Sequence, residues 1–283
     1  RVELDVHAAA HAIGDLGLGH QVELARFPPV QRTIERRRQV AQRRAALEFA
    51  VDVWEAALDG TFGLRLSASF DPLGGTASSA TLGQAGFTQI AATAGSDLPR
   101  PNIWYPGPLA SQLLNEDISN GSGFHMQATF NSDVDGPTVL GSATFYYGTD
   151  GSLPPGRIPF LAVALHELGH AFGFISLADL DTGAFPSGLP DVFSDNLTRT
   201  GAVNEDFTAM TDSERLAAIS SGELYWKGAQ VLAYGVSGSP PQVNAQGEVR
   251  MFAPNPVQPG SSVSHWDSGH VPDLLMEPSL TSN

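Results

Sequence analysis

Cysteine is absent from the 283-residue chain, and its absence limits the chemistry that the protein can use. Without thiols there are no disulfide bonds and no thiolate ligands for zinc, so any metal ion must be held by histidine, aspartate, glutamate or water. Basic residues are also scarce: 15 Lys and Arg stand against 30 Asp and Glu, for a formal net charge of −15. This acidity disfavours nucleic acid as a partner, because nothing offsets repulsion by the phosphates.

Long apolar runs are missing as well. No stretch approaches the roughly 18 to 20 apolar residues that a membrane-spanning helix needs, so we predict no membrane span. A hydrophobic fraction of 42% with 16% charged residues is typical of a globular protein with a sizeable core. The chain starts at Arg1 without a methionine. We expect a secreted, monomeric protein whose signal peptide has been removed.

The hydrophobic pattern predicts an α+β fold in two parts, a subdomain of residues 1–175 and a subdomain of residues 176–283. The first should be a small sheet backed by a long helix, and the second should be mostly irregular. Helices are predicted at 30–58, 106–114, 161–172 and 211–220, the last one opening with a capping box. Strands bounded by turn residues are predicted at 22–27, 63–70, 87–93, 124–130, 142–147 and 249–252.

The predicted helix at 161–172 carries the pattern H-E-x-x-H. His166 and His170 are four residues apart, so on a helix they project from one face, one turn apart. Two imidazoles in that position can bind one metal ion, and Glu167 lies beside them to accept a proton. The sequence therefore predicts a catalytic zinc site with Glu167 as its general base.

A catalytic zinc needs a third protein ligand and one open position. The thermolysin type requires a later Glu-x-x-x-Asp, which Glu205, Glu214 and Glu223 do not provide. The metzincin pattern H-E-x-x-H-x-x-G-x-x-H is met through Gly173, but its last position is Ser176, and a serine hydroxyl is a poor zinc ligand.

The missing parts occur in the C-terminal stretches Ser264-His-Trp-Asp267 and Leu275-Met-Glu-Pro278. With these, the sequence resembles the leishmanolysin-like branch of the metzincin zinc peptidases, in which a long insertion separates the first motif from a later His-Trp and a Met-turn. The absence of cysteine makes it look more like a bacterial relative than like the eukaryotic members. The resemblance implies that His265 is the third zinc ligand, that Met276 lies beneath the metal, and that Gly173 ends the helix. It also implies a metzincin-like fold, with the active-site helix above the irregular C-terminal subdomain.

Other residues offer weaker alternatives. His270 is the second choice for the third ligand, and His125 is better explained by packing or substrate contact than by metal. His7 and His11 are spaced four apart without an acid between them, which favours a surface pair over a weak metal site. Calcium is a further candidate, at the aspartates of the loops after the helix, although solvated loop acids explain them as well. These aspartates are Asp179, Asp181, Asp191 and Asp195.

The function that we expect is a secreted zinc endopeptidase, in which Glu167 activates a zinc-bound water for attack on the peptide bond. Its protein or peptide substrate would pair with an exposed strand edge, for which 124–130 and 142–147 are the candidates. Two alternatives remain open at this point. One is a catalytically inactive metzincin-like module that binds peptides or surfaces, and the other is a zinc amidohydrolase that acts on small substrates.

Overall fold

The computed structural model of the protein describes residues 29–92, 98–119, 123–228, 231, 237–238 and 242–280. They form helices and small sheets, which confirms the α+β class; the predicted strand at 22–27 lies outside them. The chain divides into two compact units, the first with the described residues up to Gln89 and Pro106–Phe172, the second with Ile90–Tyr105 and the chain from Gly173. The subdomain boundary at residue 175 stays a prediction. No helix in the described ranges is long and apolar enough to cross a membrane.

Three helices belong to the first unit: α1 (Pro29–Ala57), α2 (Gly107–Leu114) and α3 (Phe160–Phe172). All three were predicted, with bounds that agree to within a residue. Helix α2 ends where Asn115 takes the left-handed conformation, with φ of 51°.

The strands of this part of the chain are short, and the predicted strand 87–93 is confirmed only in part, since it contains the end of one strand and the two-residue strand Ile90–Ala91. A three-stranded sheet has the order β1-β5-β2, in which β5 runs parallel to β1 and antiparallel to β2. In the described chain β2 is thus an edge strand, and it ends at Phe87, where the predicted strand 87–93 would begin. The bounds are β1 Leu66–Asp71, β2 Gly83–Phe87, β3 Ile90–Ala91, β4 Tyr105–Pro106, β5 Met126–Asn131, β6 Thr144–Tyr146 and β7 Arg157–Pro159. Strands β6 and β7 form a separate parallel pair.

The core of the first unit lies where α1 and α3 cover the sheet. Its buried side chains include Leu47, Leu66, Met126, Phe130, Phe160 and Leu168. Helix α3 is also tied to α1 by Trp54, whose indole N–H donates to the carbonyl of Leu165 at 3.0 Å and whose ring centroid lies 5.4 Å from that of Phe172. Since Leu165 directly precedes His166, this contact fixes the helix turn that carries the histidine motif.

The second unit has little regular structure, as predicted for the C-terminal region. Helix α4 (Asp212–Ile219) begins with the predicted capping box, in which Thr211 and Glu214 bond each other's backbone N–H. Strands β8 (Leu197–Arg199), β9 (Leu224–Trp226) and β11 (Val249–Arg250) form an antiparallel sheet, and β10 (Ser237–Gly238) pairs with β12 (His270–Val271). A separate core includes Phe193, Phe207, Ile219, Leu224, Met251, Trp266 and Met276.

Candidate metal centre

Helix α3 presents the predicted histidine pair as the motif requires. The Nε2 atoms of His166 and His170 lie 3.1 Å apart, and the two rings meet edge to face with centroids 4.8 Å apart. Two nitrogens bound to one tetrahedral zinc at about 2.0–2.1 Å would be about 3.3 Å apart. The pair therefore fits a shared metal ion with almost no movement of the rings.

Glu167 lies on the same helix turn and is buried. It is only 7% exposed, and this burial raises the pKa of its carboxyl to about 7. A carboxyl whose pKa lies near neutrality can accept a proton at one step and return it at the next. The environment of Glu167 thus suits the role of general base that the motif predicts.

The helix ends at Phe172, and the following residue is the predicted turn residue Gly173. Its φ of 119° is a backbone conformation that residues with a side chain rarely adopt. The glycine of the motif is therefore explained by the backbone conformation at this position.

His265, the predicted third ligand, belongs to the second unit and is 4% exposed. Its Nδ1 lies 2.8 Å from the carbonyl oxygen of Ser261. Because a carbonyl oxygen only accepts hydrogen bonds, Nδ1 carries a proton, and in the neutral ring Nε2 then keeps its lone pair. Metal-binding histidines are commonly oriented by this kind of bond from the other ring nitrogen.

Met276 lies next to this segment in the second unit and is 5% exposed. It stands within a tight turn, closed by a hydrogen bond from the Glu277 N–H to the carbonyl of Leu274 at 3.1 Å. The carbonyl of Met276 accepts from the N–H of Trp266 at 2.9 Å, so the turn is joined to the residue after His265. Met276 and the His265 segment are thus parts of one local structure.

Ser176, which stands where the metzincin pattern has a third histidine, is committed to hydrogen bonds. Its N–H donates to Oγ of Ser264 at 3.1 Å, and its Oγ lies 2.7 Å from Oγ of Ser194. Ser194 in turn donates to the buried carboxylate of Asp191 at 2.7 Å. The first bond joins the two ends of the 176–264 segment immediately before His265. Sequence reasoning missed this closure, because no motif marks a serine that bonds a distant serine.

The remaining histidines of the described chain have structural partners. Nε2 of His270 donates to the carbonyl of Arg250 at 3.0 Å, and His270 belongs to no group of three metal-competent side chains in the described ranges. Its role as the alternative ligand has no support from this geometry. His125 is buried, and its Nδ1 accepts from the N–H of Arg65 at 3.1 Å, as expected for packing. The pair His7 and His11 lies outside the described residues.

Three of the four aspartates considered for calcium are engaged with protein groups. Asp191 accepts from the N–H groups of Leu177 and Ser194, and Asp195 pairs with Arg100. Asp179 accepts from the backbone of its own turn, at the N–H groups of Asp181 and Thr182. Among the described residues these carboxylates gather into no metal-binding group, so calcium receives no support here.

Comparison with known protein families, with curated proteins and with solved structures finds no match to this chain.

Proposed function

We propose that this chain is a zinc-dependent endopeptidase of the metzincin type, related to its leishmanolysin-like branch. The single observation that carries the proposal is the histidine pair of α3, whose Nε2 atoms lie 3.1 Å apart. The resemblance of the sequence supplies His265 as the third ligand. Three neutral nitrogens without a thiolate are a donor set that catalytic zinc sites use, with a fourth position left for water. The chain therefore has residues that fit the metal.

Separate residues of the chain would bind the metal and transfer the proton. His166, His170 and His265 would hold the ion, with His265 oriented by its bond to Ser261. Zinc, when bound, lowers the pKa of water and polarises a carbonyl group. The carboxylate of Glu167 would take a proton from the attacking water and deliver it to the leaving amine. The burial that raises the pKa of Glu167 supports this two-way transfer.

The sheet of the first unit supports a peptide as the substrate, although not through one of the two strands that the sequence suggested. Strand β5 (Met126–Asn131) is paired on both sides, so the predicted candidate 124–130 cannot offer a free edge. The other candidate, 142–147, contains β6, which pairs with β7 alone among the described strands, and it stays a candidate. Strand β2 (Gly83–Phe87) is an edge strand of the three-stranded sheet, and it packs directly against α3. An extended peptide can add to such an edge through backbone hydrogen bonds. Secretion and a monomeric state stay predictions.

The test is metal analysis and casein digestion on the parent chain and on Glu167→Gln, which keeps the volume of the side chain but cannot accept a proton. We expect about one zinc per chain in both proteins, and turnover lower by on the order of 10²-fold or more in the variant. Protein that contains no zinc and takes none up would refute the proposal. Zinc-loaded parent chain that cleaves no protein, but hydrolyses small amides, would favour the amidohydrolase alternative. Zinc binding without any hydrolysis would favour the inactive binding module.

A further inference from the structure

Strand β2 begins with a glycine that lies against the proposed general base. A Cβ atom built at Gly83 would lie 2.9 Å from Cγ of Glu167 and 3.1 Å from both its Cδ and its Oε1. Non-bonded carbon atoms are normally separated by about 3.5–4.0 Å, so contacts this short are strongly repulsive. The position next to Glu167 therefore has room for a glycine and for no other residue without a displacement.

The backbone at Gly83 is held in place, so the strand cannot easily be the part that moves. Gly83 pairs with the fully buried Phe130 of β5. Asn131 holds the two residues that precede Gly83. Its N–H donates to the carbonyl of Leu82 at 2.9 Å, and its side-chain amide donates to the carbonyl of Thr81 at 2.8 Å. Asn131 is itself completely buried. A shift of Gly83 would break this set of bonds.

A side chain at position 83 would therefore displace the side chain of Glu167. The closest atom is Cγ, near the base of the side chain, so relief requires a new rotamer that carries the whole carboxyl away. We propose that Gly83 is a positioning residue. Because it has no side chain, the carboxyl of Glu167 can keep its present position on α3, next to the histidine pair. The catalytic consequence rests on the proposed function, whereas the contact itself does not.

Kinetics of Gly83→Ala provide the first test. A displacement of about 1 Å in a catalytic group can lower the rate on the order of 10²-fold, so we expect kcat to fall by about 10- to 100-fold with a much smaller change in KM. In a Glu167→Ala background the same substitution should cause no further loss, because both changes act through one carboxyl. An unchanged kcat in Gly83→Ala, or an effect on KM alone, would overturn the proposal.

Thermal unfolding of the full chain with EDTA present provides a second readout that needs neither metal nor activity. Gly86→Ala is the matched control, because it lies in the same strand and an added Cβ there meets nothing within 4 Å. We expect Gly83→Ala to unfold at a temperature about 2 °C or more below that of Gly86→Ala in the parent chain. In the Glu167→Ala background this difference should disappear.

The two tests separate the possible failures. If the parent chain binds no zinc and cleaves no peptide, the proposed function fails, and the unfolding experiment still decides the contact. If the unfolding difference between the two alanine variants is the same with and without Glu167, Gly83 does not act through Glu167 and the positioning role is overturned. A difference that vanishes with Glu167, together with the loss in kcat, is the result that we expect.

Discussion

Replacing His265 by alanine should weaken zinc binding sharply, and the second unit contains a matched control for that experiment. Binding of structural zinc by zinc-finger peptides amounts to about 10–16 kcal/mol, so one ligand of four accounts for about 3 kcal/mol. That energy corresponds to a loss of affinity on the order of 10²-fold. The assay is a competition titration with a chelating dye, on protein stripped of metal and reloaded.

His270→Ala is the control. The two imidazoles are similarly buried, with 4% and 1% exposure, and each lies within hydrogen-bond distance of a backbone carbonyl, at 2.8 and 3.0 Å. Both truncations leave a cavity and remove one such bond, so both should destabilise the chain by about 2–4 kcal/mol. Only His265→Ala should change the affinity for zinc. Equal zinc affinities in the two variants would refute the ligand assignment, and a larger loss in His270→Ala would transfer the role to His270.

Two further substitutions test the surroundings of the site. Ser264→Ala removes the acceptor of the Ser176 N–H and should lower the free energy of unfolding by about 1–3 kcal/mol in urea. Ser261→Ala should have little effect, because His265 bonds the backbone carbonyl of that residue; equal losses would contradict the closure of the segment. Trp54→Phe keeps an aromatic ring beside Phe172 but loses the bond to Leu165. It should lower the melting temperature by about 2–6 °C by calorimetry, and an unchanged value would contradict a role in holding α3.

The helices could be predicted from the sequence because their signals are local. Helix α1 ends at Ala57, two residues before Asp59-Gly60, and the capping box of α4 is recognisable in Thr211 and Glu214. The spacing of His166 and His170 fixes their relation on any helix, whatever the rest of the fold. A short-range pattern is sufficient for each of these features.

Strand β2 could not be recognised in the same way. Its sequence, Gly-Gln-Ala-Gly-Phe, has two glycines and no β-branched residue, so its strand propensity is low. It forms a strand because β5 offers a register that starts at the Gly83–Phe130 pair and because α3 packs against it. Those partners are distant in the chain, and the tertiary contacts override the local preference. The assignment of Ile90–Tyr105 to the second unit also depends on contacts with residues distant in the chain, so it could not be predicted from the local sequence.

Ser176 stands where the metzincin pattern has its third histidine, and its hydrogen bonds give it a structural role at that position. In the metzincin pattern a histidine at this position binds the metal. The serine instead bonds Ser194 through its side chain and Ser264 through its N–H. The bond to Ser264 joins two residues that are 88 positions apart, and Ser264 directly precedes His265. Closing so long a loop has an entropic cost that grows only slowly with length, so a large insertion is tolerated once its ends are fixed. The Ser176–Ser264 bond therefore fixes the backbone immediately before His265, the residue that we propose as the third ligand.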